Sequence, residues 1–329
     1  MKKLVTLKDI ARETGLTMAS VSRALRDMPD IADETKQYVH DVAENLGYHP
    51  NVFAASLRTG KSKFIGLIIP QNTNPYFATV MADVIAVVIE NGYIPLVLNS
   101  LDSKVVEREA VSAMISFRVA GVLTIPVSLK NFLNLPFPVV VLARQFEPEE
   151  LEHFDYIIND ERGMELSVKY LAQQKRKIYY FSGQQEIRAS RVRRMAFEAA
   201  MKKCGVPLEE DTVIVCKSND MQAGYQATTE LLSRATLPIS VQCMSDHMAL
   251  GVIKAIRDNH LKVPQDVAVI GHDDIVYCEY LPIPLSSISL SQELGKEAAS
   301  FLFRKLEDGH RQMKIIAEPK LVIRESARW

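Results

Sequence analysis

The stretch VTLKDIARETGLTMASVSRAL, residues 5–25, contains two short amphipathic segments separated by a turn. LKDIARET (7–14) predicts a first helix, MASVSRALR (18–26) predicts a second, and residues 15–17 are predicted to form the turn. Thr17 precedes the second helix, where its hydroxyl can accept a hydrogen bond from an otherwise unpaired backbone N–H. The apolar side chains that would join the two helices are Ile10, Ala11, Leu16, Val21, Ala24 and Leu25. This spacing predicts a helix-turn-helix whose second helix has a polar, basic outer face suited to the major groove of DNA.

Residues 5–25 resemble the headpiece of the lac-repressor (LacI/GalR) family of bacterial regulators. DETKQYVHDVAENLGYHPN (33–51) is similar to that family's third helix, and NVFAASLRTGKSKFIGLIIP (51–70) is similar to its hinge and first core strand. Four later motifs occur in the family's order: NPYF (74–77), RASRVRRMAF (188–197), SDHMALG (245–251) and VPQDVAVIGHDD (263–274). The resemblance covers nearly the whole chain, and it implies a ligand-responsive regulator of transcription.

The resemblance also implies which headpiece residues contact DNA. Met18 and Ala19 stand where the family selects operator bases, and their side chains suit apolar contact with a thymine methyl group. Arg23 is the best candidate for reading a base by hydrogen bonds, because its fork of donors matches guanine O6 and N7. The side chains that suit phosphate contacts are Thr6, Thr17, Ser22, Tyr48 and Asn51. The alternative is that these residues form ordinary solvated faces of a small helical domain.

Residues 1–47 are predicted to form a three-helix headpiece. Its third helix runs from Asp33 to Leu46, and Gly47 is placed to end it. The family usually has a serine that caps this helix, whereas this chain has Ala32, so that cap is lost or shifted.

Residues 48–62 are predicted to be a hinge linker with a short helical segment at 51–58. Leu57 corresponds to a family leucine that enters the minor groove and kinks the duplex. The alternative is that Leu57 packs on the core domain.

Residues 63–329 are predicted to form an effector-binding and dimerisation core of the α/β class. Apolar runs of strand length alternate with longer amphipathic segments, which argues for parallel sheets covered on both faces. The predicted strands are 65–70, 94–98, 121–125, 138–142, 155–158, 178–182, 212–216, 239–243, 266–271 and 286–290. The predicted helices include 76–90, 163–173, 192–203, 223–233, 248–259 and 293–307. The resemblance implies a two-lobed, periplasmic-binding-protein-like core, with the chain crossing between lobes near Asn159, Ser286 and Glu318.

The overall composition and charge give no positive sign of nucleic-acid binding, disulfide bonds or a membrane span. The chain has 329 residues and a formal net charge of −1, so bulk charge gives no sign of nucleic-acid binding. Residues 1–63 contain ten Lys or Arg and eight Asp or Glu, so the headpiece carries only about +2. The four cysteines are scattered and are expected to be reduced. Neither a signal peptide nor a membrane span is expected, so the predicted location is the cytoplasm.

Ligands of such a core bind at the carboxyl ends of its strands, where several polar or aromatic residues fall. The predicted effector-binding residues are Tyr76, Phe77, Arg144, Arg193, Ser245 and Asp273. The resemblance gives Arg193 and Asp273 the roles of ligand-binding arginine and aspartate. The family often has an aspartate at the position of Ala143 and, in some members, an aromatic ring at that of Asn219. These departures, with Arg188 and Arg191 nearby, slightly favour an anionic ligand, since guanidinium groups bind carboxylate or phosphate in bidentate fashion.

The sequence thus predicts a transcriptional repressor that acts as a homodimer on near-palindromic, double-stranded operator DNA. Its effector is predicted to be a sugar, sugar acid or sugar phosphate, and no cofactor, metal or membrane partner is expected. TGKS (59–62) lacks the earlier glycine of a phosphate loop, and residues 272–274 are too close together to form a metal site. The alternatives are a ligand-recruited regulator, a small-molecule binding module with a vestigial headpiece, and an α/β enzyme. The enzyme is disfavoured because no nucleophile–base arrangement is visible.

Overall fold

The computed structural model describes residues 5–49, 62–160, 162–290, 293–309 and 312–329. The chain divides into two compact units between residues 62 and 63.

The first unit contains three helices packed around a small apolar core. They are α1 (Leu7–Thr14), α2 (Met18–Ala24) and α3 (Asp33–Leu46). The buried side chains are Ile10, Val21, Ala24, Val39 and Ala43. Gly15 and Gly47 end α1 and α3 with φ of 72° and 69°, a left-handed conformation that glycine adopts without steric cost. The predicted helix-turn-helix and third helix are confirmed, except that α2 ends at Ala24 rather than at residue 26.

The second unit is built from alternating strands and helices. Its strands are β1 (Phe64–Ile69), β2 (Ile94–Asn99), β3 (Gly121–Thr124), β4 (Val139–Ala143), β5 (Asp155–Asn159), β6 (Lys177–Ser182), β7 (Val213–Val215), β8 (Ile239–Cys243), β9 (Val267–Asp273), β10 (Ser286–Ser289), β11 (Lys314–Ala317) and β12 (Lys320–Val322). Its α-helices are α4 (Pro75–Glu90), α5 (Lys104–Ser116), α6 (Pro148–Leu151), α7 (Gly163–Ala172), α8 (Arg188–Lys203), α9 (Met221–Leu232), α10 (Asp246–Asp258) and α11 (Leu294–Asp308).

These strands form two sheets, one in each lobe of the unit. The first sheet has the order β11-β5-β4-β3-β1-β2, and every neighbouring pair is parallel. The second has the order β12-β10-β9-β8-β6-β7, in which β12 alone runs antiparallel to its neighbour. The inner strands β1 and β8 are buried along their whole length, as expected for parallel strands covered on both faces. The predicted α/β fold class is confirmed.

The chain crosses between the two sheets after β5, after β10 and after β11. The crossings predicted near Asn159 and Glu318 therefore agree with the structure. The crossing predicted near Ser286 is displaced, because Ser286–Ser289 forms strand β10 of the second sheet and the chain crosses only beyond it. After that crossing α11 packs against α4, β3 and β4 of the first lobe, and β11 then joins the first sheet.

Candidate functional site

The start of α2 is exposed in the way a DNA-reading helix requires. The Thr17 hydroxyl accepts a hydrogen bond from the Ser20 backbone N–H at 3.1 Å, so the predicted cap is present. Met18 is 55% exposed, a large fraction for an apolar side chain, and Ala19 beside it is also exposed. Met18 and Ala19 are thus accessible from solvent at the start of α2.

Arg23 is exposed at the end of α2, but its guanidinium is paired. Its Nη2 donates to Asp30 Oδ2 in the turn that follows the helix. The same hydrogen bond is the main reason why the pKa of Asp30 lies below its usual value. Ser22 is half-buried, and its backbone carbonyl accepts a hydrogen bond from Arg26 Nε at 2.9 Å.

The other predicted DNA contacts fall in three places. Thr6 is exposed before α1, and both its backbone N–H and its hydroxyl donate to Asp9 Oδ2, at 3.0 and 2.7 Å. Tyr48 is half-buried behind α3, and burial raises the pKa of its hydroxyl. Asn51 and Leu57 lie outside the described residues.

The second unit has a cleft between its two lobes, at the carboxyl ends of β1, β4 and β5 on one side and β8 and β9 on the other. It encloses about 690 Å³ not occupied by protein atoms, including space open to solvent. All of the predicted effector-binding residues line it, namely Tyr76, Phe77, Arg144, Arg193, Ser245 and Asp273. The further lining residues include Gln71, Asn74, Asp102, Ala143, Gln145, Asn159, Arg188 and Asn219.

Arg193 and Asp273 face each other within the second lobe. Arg193 Nη2 donates to Asp273 Oδ1 at 3.1 Å, and its Nη1 donates to the Met244 carbonyl at 2.6 Å. Both side chains are almost fully buried, at 10% and 3% exposed. Both residues belong to the second lobe, Arg193 on α8 and Asp273 at the end of β9.

Arg144 forms a second arginine–aspartate pair on the first lobe. Its Nη2 donates to Asp102 and its Nη1 donates to the Pro126 carbonyl at 3.2 Å. Asp102 follows β2, so the strand-end reasoning that identified Arg144 could also have identified Asp102. These pairings compensate the positive charge that the arginine-rich sequence suggests.

The remaining arginines near the cleft are also engaged. Arg188 Nη2 lies 3.0 Å from Glu150 Oε2, and its Nε donates to the Gln145 carbonyl at 3.2 Å. Arg191 is exposed and donates to the carbonyls of Gln185 and Glu186. It is not among the cleft-lining residues.

Aromatic and amide side chains line the first-lobe wall. Asn74 caps α4 by accepting the Tyr76 backbone N–H at 3.0 Å. Asn159 Nδ2 donates to the Tyr76 hydroxyl at 2.9 Å, whereas the buried Asn159 Oδ1 has no hydrogen-bond partner among the described residues. Phe77 packs edge-on against Tyr76, with ring centroids 5.6 Å apart, and stays half-exposed toward the cleft.

Ser245 and Asn219 hold local structure on the second-lobe wall. The Ser245 hydroxyl caps α10 by accepting the Met248 N–H at 3.2 Å. Asn219 Oδ1 accepts the Gln184 backbone N–H at 3.2 Å. Both residues line the cleft and retain donor capacity, since a hydroxyl and an amide carry donors besides these acceptor atoms.

Backbone strain occurs at two strand ends in the cleft. Ala143 has a φ of 63° and Asp273 a φ of 114°, values that non-glycine residues rarely adopt. Such conformations persist where the surrounding structure fixes them, and they cluster at binding sites.

The carboxylate of Asp246, next to Ser245 at the start of α10, is fully buried. Asp246 accepts hydrogen bonds from the Ile275 N–H at 2.9 Å and from the Ser287 hydroxyl at 2.6 Å, and it also accepts from the Cys278 thiol. Burial, together with the nearby charge of Asp273, raises the pKa of Asp246 to about 6. Sequence reasoning passed over Asp246, whose role depends on partners about thirty to forty positions away in the chain.

In the described ranges, none of the helices combines the length and apolar character needed to cross a lipid bilayer. The same ranges contain no cluster of three or more His, Cys, Asp or Glu side chains arranged to hold a metal ion.

Comparison with known proteins gives consistent matches. Residues 6–51 match the sequence model of bacterial regulatory proteins of the lacI family, and residues 168–327 match that of the periplasmic binding protein-like domain. The HTH-type transcriptional repressor PurR of Histophilus somni (strain 2336) is 31% identical, over 99% of each chain. The solved lac repressor dimer bound to operator and the anti-inducer ONPF has a TM-score of 0.81 at 21% identity, covering 98% of this chain and 99% of that one. The transcriptional regulator CelR–cellobiose complex has a TM-score of 0.70 at 24% identity, covering 98% and 100%.

Proposed function

The chain belongs to the LacI family of bacterial regulatory proteins and is a helix-turn-helix transcriptional regulator; from this premise we propose that it is a repressor controlled by a sugar. Helix α2 enters the major groove of operator DNA, with Met18, Ala19 and Arg23 at the bases. The small molecule binds in the cleft between the two lobes. The protein works in the cytoplasm, where its DNA target lies.

One observation carries the effector part of this proposal. The six predicted effector-binding residues come from separate stretches of the sequence, and all of them line a single cleft between the two lobes. A ligand that touches both walls has more contacts in one lobe arrangement than in another, so it shifts the population between arrangements. This provides the differential affinity that a ligand-controlled repressor needs.

The chemistry of the cleft favours a neutral polyhydroxyl ligand over an acid. Arg144 and Arg193 each lie against an aspartate, so neither presents an uncompensated charge to a carboxylate or phosphate. The buried Asn159 Oδ1 lacks a hydrogen-bond partner among the described residues, and a ligand hydroxyl is the donor it would accept from. The half-exposed ring of Phe77 suits the apolar face of a sugar ring. Cellobiose in the CelR complex is an example of such a ligand in a similar fold.

A homodimer is the proposed DNA-binding form. A single helix-turn-helix covers too few base pairs for genomic specificity, and a two-fold pair of headpieces doubles the footprint. The lac repressor in the operator complex is itself a dimer.

The test is a thermal-shift screen followed by gel-shift titration. A compound that binds only the native state raises the melting temperature, so neutral sugars, sugar acids and sugar phosphates are compared at equal concentration. Each hit is then titrated against the protein on an operator selected from random duplexes. Asn159→Ala should abolish the thermal shift, while Asn259→Ala should preserve it, because the Asn259 amide donates to the Ala255 carbonyl at the end of its own helix.

The screen also separates the rival functions. Stabilisation by sugar acids or phosphates alone would overturn the neutral-sugar assignment. A hit that binds while no duplex is selected would favour a binding module with a vestigial headpiece. Consumption of the hit by the protein would instead indicate an enzyme.

A further inference from the structure

The pairing of Arg23 with Asp30 places a negative charge beside the residue best suited to read a base. Both side chains lie at the surface of the headpiece, 48% and 43% exposed. A carboxylate on a DNA-facing surface is unexpected, because it faces the negative charge of the phosphate backbone. The position of Asp30 next to Arg23 therefore indicates that Asp30 takes part in DNA recognition.

Neighbouring charged groups are engaged elsewhere. Arg26 Nε donates to the Ser22 carbonyl, and Asp27 lies 3.2 Å from His40 Nε2. The Asp30 carboxylate is thus directed at Arg23, through Nη2.

The geometry leaves part of the Arg23 guanidinium available. A guanidinium has five N–H donors, and guanine O6 and N7 need two of them. A guanine can therefore be read while Asp30 keeps its hydrogen bond. A phosphate contact that draws Arg23 away would break that hydrogen bond and leave a carboxylate beside the backbone.

We propose that Asp30 is a specificity-determining residue, which orients Arg23 toward a base and withholds its charge from phosphates. This inference rests on the proposed role of α2 in DNA binding. Asp30 lowers the affinity for DNA of arbitrary sequence while preserving the affinity for the operator. The ratio of operator affinity to non-specific affinity is the quantity that it raises.

The experiment measures binding of the full-length protein to a random-sequence duplex between 50 and 200 mM salt, by fluorescence anisotropy. Asp30→Asn frees Arg23 for one further phosphate contact, so the slope of log K against log salt should steepen by about 0.9. The gain in non-specific affinity over wild type should be about 3.5-fold larger at 50 mM than at 200 mM salt. Affinity for the selected operator should not increase by as much, so the specificity ratio falls.

Two controls separate this role from a general effect of charge. Asp41→Asn removes an equal charge from α3 without freeing a cation, because the partner of Asp41 is the neutral amide of Gln37. In an Arg23→Ala background, Asp30→Asn should leave the salt slope unchanged. Circular dichroism melting confirms that the headpiece remains folded in each variant.

Three results would count against the role of Asp30. Equal slopes for Asp30→Asn and wild type, equal effects of Asp30→Asn and Asp41→Asn, or persistence of the effect in the Arg23→Ala background would overturn the role of Asp30. Failure of the wild-type protein to bind any duplex would instead overturn the proposed function, and the inference with it.

Discussion

Arg193 and Asp273 are 80 positions apart in the sequence, and they form one buried ion pair in the cleft wall. Removing one partner of such a pair leaves an uncompensated charge, which costs about 3–5 kcal/mol of stability. We predict this loss for Arg193→Ala in chemical denaturation, together with loss of the effector response. The double variant Arg193→Met with Asp273→Asn should recover most of the stability, because neither buried charge remains, but not the response.

The double variant is the informative one for the cleft. If it regains both stability and the effector response, then the pair is purely structural and the ligand contacts lie elsewhere. Operator binding without effector should survive in it, since both residues belong to the core unit rather than the headpiece.

Asp246 gives a pH prediction with a definite sign. Its folded-state pKa of about 6 lies above the ordinary value of 3.8, so the native state binds the proton more tightly than the unfolded chain does. The associated stability is present below about pH 4 and is lost as the pH rises through 6. We therefore predict that the stability deficit of Asp246→Asn relative to wild type shrinks between pH 4 and pH 7, in denaturant titrations. A deficit that is constant over this range would contradict the elevated pKa.

At the residue scale, sequence reasoning located side chains better than it located their partners. The Thr17 cap could be predicted because its acceptor and donor are three residues apart. Most of the cleft-lining positions could be predicted because they follow a recognisable apolar strand, whereas Arg193, inside α8, could be predicted from the family resemblance. The Arg144–Asp102 and Arg193–Asp273 pairs join residues 42 and 80 positions apart, so the local sequence pattern contains no information about them.

At the scale of elements, helix α3 has no side-chain cap at its N-terminus. Ala32 occupies the N-cap position with extended backbone angles and provides no side-chain hydrogen bond. We predict that Ala32→Ser stabilises the headpiece by about 1 kcal/mol, because its hydroxyl can accept a free N–H of the first turn. Hydrogen exchange of the α3 amides measures this effect. Ala32→Val, which adds bulk but no acceptor, is the control, and equal protection in both variants would rule out capping as the cause.

The predicted elements agree best where the hydrophobic pattern is strong. Strand β8 is buried throughout and was predicted with its observed bounds, 239–243. Strands β11 and β12 are not predicted, because both are short and neither contains a fully buried residue. Helix α8 begins at Arg188, whereas the sequence predicts a start at residue 192. The first turn is rich in arginine and lacks an apolar stripe, so the hydrophobic pattern does not reveal it.

At the scale of the whole molecule, the three crossings bring residues from distant parts of the sequence into one lobe. Helix α11 follows strand β10 of the second sheet in sequence yet packs on the first sheet. The family resemblance supplied this topology, whereas alternation of strands and helices alone could not distinguish one large sheet from two interleaved ones. The cleft between the lobes is a consequence of that topology.

The weak charge of the headpiece leads to a prediction about the assembly. Residues 1–63 carry a formal net charge of only about +2, a sum that includes both Arg23 and Asp30. One headpiece therefore releases few counterions and should bind DNA weakly at physiological salt, so tight binding needs two headpieces on one duplex. We predict that the full-length protein binds a duplex with one half-site at least tens-fold more weakly than the full palindrome. The salt slope for the half-site should be close to half of that for the palindrome, because half as many phosphates are contacted. Anisotropy titrations with equal-length duplexes measure both quantities, and sedimentation gives the stoichiometry. Equal affinities and slopes for the two duplexes would show that a single headpiece suffices, and the proposed dimeric mode of recognition would then be wrong.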